Sequence, residues 1–188
     1  MSTAYGVIVC FAIVASCSAP APNPRGQSVA RDEIEAVLRR MEIATREEDA
    51  GGVVAADSMI TIVAPDGSEN TTTAVELADQ QRIRWEAVLE TIAVDFGLDS
   101  LQVDGNTAVV YVRQRWERVL DRPDGTVVRL TRALHRERWI RRPSGWKTRF
   151  VEILSQGPNC TDGVPDPPWA DQPAAVVCSS ALVPELKR

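Results

Sequence analysis

The chain lacks most of what announces a reaction. It holds one histidine, His135, and four cysteines, in spacings that match no zinc pattern, so no metal is expected. Nothing in its 188 residues resembles a phosphate-cradling glycine loop or a nucleophile elbow, and no cofactor is expected either. No apolar run reaches the roughly 20 residues that a membrane-spanning helix needs. A net charge of -5 and a pI near 5.0 argue against nucleic acid or an anionic membrane surface as a partner for the chain taken whole. Basic residues are missing altogether before Arg25.

What is present is ordinary for one soluble domain with tails: 44% hydrophobic and 25% charged residues. The charge is unevenly spread. Acids crowd the first half, at Asp32, Glu33, Glu35, Glu42, Glu47, Glu48 and Asp49, whereas arginines crowd the segment from Arg113 to Arg142. The plain reading of those arginines is cross-strand ion pairing, with their stems lying over an apolar sheet.

Gly6 to Ala15 is an uninterrupted apolar run followed by small residues and prolines, the form of an export signal. Val14-Ala15-Ser16-Cys17 resembles a bacterial lipobox, in which the cysteine is acylated and becomes the N-terminus. The expectation is therefore a signal over 1–17, a lipid anchor at Cys17 and a Pro/Ala/Gly-rich tether over 18–28. Cleaved secretion without lipid and an apolar helix docked on the domain are the alternatives. The lacking basic leader departs from the signal pattern, and a misassigned start would account for it.

With Cys10 leaving and Cys17 acylated, Cys160 and Cys178 remain, and a disulfide between them would pin a Pro/Gly-rich tail over 156–188. The sequon-like Asn70-Thr71-Thr72 and Asn159-Cys160-Thr161 matter only in a eukaryotic secretory route.

Between these ends, Ile34, Val37, Leu38, Met41 and Ala44 recur at helical spacing, with Asp32 as N-cap and Gly51-Gly52 as terminator. A strand over 58–63 closes on the turn Pro65-Asp66-Gly67, and Thr73 with Glu76 forms a capping box for a second helix reaching Glu90. The strand over 92–103 changes parity beside Gly97, as a β-bulge does. Three long strands follow through Leu154, joined by two tight turns. Alternation puts Val110, Val112, Gln114 and Trp116 on one face and Tyr111, Arg113, Arg115 and Glu117 on the other. This order is α+β, with a curved sheet wrapped around N-terminal helices.

The helix IEAVLRRMEIATREEDAGGV, the strand and turn DSMITIVAPDG, and the strands DGNTAVVYVRQRWE and HRERWIRRPSGWKTRFVEI together resemble the cone-shaped domains related to nuclear transport factor 2, particularly the SnoaL-like bacterial group. The resemblance covers 29–155 and implies a mixed or antiparallel curved sheet around the helices, commonly paired with a second copy across the sheet. It also implies a small apolar pocket, here lined by Trp85, Trp116, His135 and Trp139. Its enzymes use a strand-end acid as general base and hydrogen-bond donors around an enolate-like oxygen. His135 and Asp57 are the catalytic candidates, with Asp95 and Asp99 behind them, although His135 can equally be a histidine hydrogen-bonded to Glu137. The reading favoured is an exported, lipid-anchored, non-catalytic module binding a small apolar ligand or a protein partner. Its rivals are a cofactor-independent isomerase or lyase on a hydrophobic carbonyl compound and a structural envelope protein that oligomerises.

Overall fold

The computed structural model describes residues 24–168 and 171–178. The expected signal and Cys17 lie outside the described residues. Helix α1 runs over Pro24–Arg46, so the last part of the expected tether is helical and Asp32 sits inside the helix rather than at its cap. Proline is at home here because the first helical residue needs no N–H partner. Ala30, Ile34, Val37, Leu38 and Ala44 form its buried stripe.

The chain leaves α1 at Arg46, where helical spacing from Ile34 runs out and short of Gly51-Gly52, and starts the one-turn helix α2, Ala50–Val53, capped by Asp49. Gly51 and Gly52 lie inside this turn. A side chain on Gly52 would meet the Asp49 carboxylate at 2.5 Å and the Ala44 methyl at 2.7 Å, so glycine lets α2 fold back onto α1.

Strand β1, Ala56–Val63, turns through Gly67 into β2, Glu69–Thr73, and Thr73 then caps α3, Ala74–Trp85. The capping box is present in both directions. Helix α3 stops at Trp85 instead of Glu90, because Trp85 and Val88 pack with Ala50 and the chain from Val88 onward pairs as a strand. Leu89, inside the range expected to be helical, is an exposed strand residue.

Hydrogen bonds from the Thr73 backbone, then from the Thr72 and Thr73 hydroxyls, hold the Glu76 carboxyl below its ordinary range. A folded-state value below the unfolded one means the stabilisation is complete above the usual glutamate range and is lost as pH falls through the folded value. Thr73→Ala is expected to lower the unfolding free energy by about 1 kcal/mol, read from the urea midpoint at pH 7.

The sheet has the order β2-β1-β6-β5-β4-β3, built from β3 Val88–Asp104, β4 Thr107–Leu120, β5 Val127–Arg142 and β6 Gly145–Gln156. It is curved and unclosed, and mixed because β1 pairs parallel with β6. The expected bulge is real: the β3–β4 register shifts between Leu98 and Ser100, one of three shifts that bend β3. Helix α1 packs on the concave face, where Ile34, Val94, Phe96, Val110, Val112, Trp139 and Trp146 form the main core.

Beyond Gln156 the tail pairs β7, Cys160–Thr161, with β5, and β8, Val164–Pro165, with β7. The short helix α4, Ala174–Val177, follows. Cys160 and Cys178 are disulfide-bonded with Cα atoms 5.8 Å apart, as expected. Leu130, Cys160 and Val177 make a small core of their own. The guanidinium of Arg132 donates to the carbonyls of Pro158 and Val177, tying the tail to β5.

Candidate functional site

Strand alternation decides which side chains share the concave face. Opposite Val112 stands His135 and opposite His135 stands Ile153; Gln114 faces Ala133, and Trp116 faces Thr131. At one end this face is filled by α1 with Trp139 and Trp146, and at the other by Ala50, Trp85 and Val88. Between the two lies a half-buried strip of Gln114, Trp116, Thr131, Ala133, His135 and Ile153. Two of the four expected pocket residues, Trp116 and His135, are therefore on the strip. The other two, Trp85 and Trp139, are core: Trp139 is 1% exposed.

Behind His135 stands a buried carboxylate. Glu137 accepts a 2.7 Å hydrogen bond from Trp139 Nε1–H, and its second oxygen lies 3.5 Å from His135 Nδ1. That separation is too long for a good hydrogen bond, and buried Nδ1 has no hydrogen-bond partner among the described residues. Nε2 is the nitrogen left to meet a ligand. Trp139 thus fixes the carboxylate, and the carboxylate faces the imidazole, an arrangement able to orient a polar group of a ligand on the strip.

The aspartates expected beside His135 are elsewhere. Asp57 receives Arg142 through both carboxylate oxygens, at 2.6 and 3.3 Å, with Arg149 at 3.5 Å. Its neighbour Ala56 pairs with Thr148, five residues along β6 from Ile153, the partner of His135; that separates the two sites by about 17 Å along the strand direction alone. The Arg142 hydrogen bond is the largest influence holding the Asp57 carboxyl below its usual range. Asp57 is a member of an ion pair, poorly suited to abstract protons. Asp99 pairs with Arg113 at 2.7 Å, and Asp95 lies beside Arg115 on the opposite sheet face.

Because its folded value is depressed, Asp57 contributes stability above the ordinary aspartate range and loses it as pH falls through the folded value. Asp57→Asn is expected to cost less than about 1 kcal/mol at pH 7, since the arginines are largely exposed. Comparing thermal midpoints of the two proteins at pH 7 and below pH 3 checks the sign: the difference should vanish in acid.

Arg118 was hidden among the strand arginines read collectively as ion pairs. Its Cζ sits 4.0 Å from the centroid of the Trp116 ring. Its Nε is buried without a hydrogen-bond partner, as is the hydroxyl of Thr91, which pairs with it across β3. Its other neighbour, Arg129, is neutralised by Asp166 at 2.7 Å and bonded to Thr161; Arg118 has no carboxylate among the described residues. Burial first, then the nearby charges of Arg129 and Arg84, push Arg118 down to about 10. Discounted for the part still facing water, the charged form costs on the order of 1–2 kcal/mol.

The opposite sheet face carries a groove of about 600 Å³ whose lining includes Val109, Arg138, Ile140 and Phe150, with Arg138 stacked 4.9 Å over Phe150. Arg138 is exposed, so solvent already meets its charge. Among the described residues no cluster of His, Cys, Asp or Glu could hold a metal ion, and no helix is long and apolar enough to cross a membrane.

No family model matches the sequence, and no curated protein matches it. Solved structures do match its shape. A protein from Kribbella flavida is 19% identical, with a TM-score of 0.57 over 69% of this chain and 93% of its own. A nuclear transport factor 2-like superfamily protein from Salmonella enterica is 18% identical, with a TM-score of 0.53 over 67% of this chain and 90% of its own. A conserved protein from Planctomyces limnophilus gives 0.53 at 16% identity, over 66% and 94%. The fold is nuclear transport factor 2-like.

Proposed function

We propose that the protein is an exported, lipid-anchored module that binds a small apolar ligand on the concave face of its sheet without transforming it. The observation that carries this reading is the half-buried strip from Trp116 to His135, held between two filled ends of the core. Such a strip offers aromatic and aliphatic surface from Trp116, Ala133 and Ile153 with a few polar groups, Gln114, Thr131 and His135, the composition of small-molecule sites. Export and the anchor rest on the apolar run and the lipobox resemblance at Cys17. A second copy across the open sheet face belongs to the same reading, on the part that α4 leaves uncovered.

One observation favours the rival enzyme. His135 with Glu137 is an imidazole facing a buried carboxylate, and an isomerase or lyase would run its proton transfers through that pair rather than through Asp57.

Titration with the neutral fluorophore N-phenyl-1-naphthylamine tests the binding site. Saturable enhancement is expected, weakened at least tenfold in Trp116→Ala; emission that never saturates, or that ignores Trp116, contradicts the proposal. The intact mass of membrane-extracted protein tests the anchor separately: an N-terminus at acylated Cys17 supports it, and a chain retaining Met1 unmodified removes it.

A further inference from the structure

We propose that the ligand of the concave face is an amphiphilic organic anion whose apolar body lies on Trp116 and whose anionic head is bound by Arg118. This rests on the concave-face reading and adds the ligand's charge. A cation taken partly out of water is ordinarily paired, because its lost hydration must be offset by an opposite charge and by hydrogen bonds. Arg118 breaks that rule. Its stacking places the guanidinium over the Trp116 indole, yet its Nε is shut off from solvent without a hydrogen-bond partner and no carboxylate pairs with it among the described residues.

The surroundings fit an anion rather than a neutral polar group. Arg129 stands opposite Arg118 on β5 and Arg84 is near enough on α3 to lower its proton affinity, so this end of the face is locally basic within an acidic protein. Among the described residues only Asp166 answers that charge, and it is engaged with Arg129. The Thr91 hydroxyl, buried and unpartnered beside Arg118, supplies a neutral donor to the same head group. A planar guanidinium presents paired N–H donors to two oxygens, which suits a carboxylate or a phosphomonoester. Trp116 joins the clusters at both ends of the strip, so a body lying on its ring continues toward Gln114 and His135.

The test uses a matched pair of probes, 4-phenylbutyrate and neutral 4-phenylbutanol, with phenylbutyl phosphate as a third arm. Each is titrated into the full chain while the Trp116 indole N–H signal is followed by NMR. The acid is expected to bind at least tenfold more tightly than the alcohol. Arg118→Met should make the two equal, and Arg118→Lys should restore part of the preference. If acid and alcohol bind alike to the unaltered chain, the concave-face reading survives and the anionic head is overturned. If neither moves the Trp116 signal, both readings fall. Relative affinities of carboxylate and phosphate then separate a fatty-acid-like ligand from a phosphate ester. Arg118→Met removes a desolvated charge, so its thermal midpoint should not fall; a variant that stays folded and still prefers the acid overturns the role of Arg118.

Discussion

Trp139→Ala is expected to lower the unfolding free energy by about 3–5 kcal/mol, the range for removing a large aromatic from a closed core. Trp139 is among the most deeply buried large side chains, and it packs with Ile34, Val110 and Val112 at the junction of α1 with β4 and β5. Its indole has a second duty. Nε1–H is the donor that holds the buried Glu137 carboxylate, so the alanine variant also orphans a charge. Trp139→Phe separates the two effects: it keeps most of the volume and is expected to cost about 1–3 kcal/mol for the lost donor. Urea unfolding followed by circular dichroism gives both values. A loss under about 1 kcal/mol in Trp139→Phe would show that Glu137 does not depend on this hydrogen bond.

Cys160→Ser is expected to cost about 3 kcal/mol, since the bridge closes a loop of 18 residues in a tail with little packing of its own. The loss should reach β5. Leu130 would lose the cover of Val177, and the Arg132 guanidinium would lose a carbonyl acceptor that only a docked tail supplies. Reducing agent should destabilise the unaltered protein by a similar amount and leave Cys160→Ser unchanged. Hydrogen exchange should quicken at the Leu130 and Arg132 amides and hardly at all at Val110 and Val112. Equal stability with and without reductant would mean the tail is held by its other contacts.

Most of the fold was legible because it is written in period and punctuation. Alternation from Val110 to Trp116 placed the concave face correctly, and Thr73 with Glu76 placed the start of α3. The misplaced boundaries share a cause. Asp32 is a strong local signal for a helix start, but Ala30 upstream is buried against the sheet, and packing extended α1 back to Pro24. At the other end of the helical region, pairing of Val88 with Leu120 overruled helical spacing through Leu89.

The site was legible only in part. Trp116 and His135 share a face that alternation could assign, and His135 does stand against Glu137. Asp57 looked plausible because it begins a strand, but which arginine it meets depends on the parallel pairing of β1 with β6, which no local pattern encodes. Arg118 was indistinguishable from its neighbours for a similar reason. Arg113, Arg115 and Arg136 each find a carboxylate on the open face, while Arg118 turns to the concave face and meets Trp116.

Native mass spectrometry of the protein purified gently from cells that make it tests concave-face binding most directly. The unaltered protein should retain one reproducible small-molecule mass, and Trp116→Ala, equally folded, should lose it. A chain that flies without any adduct, or an adduct that persists in Trp116→Ala and in His135→Leu alike, would contradict a ligand site on this face.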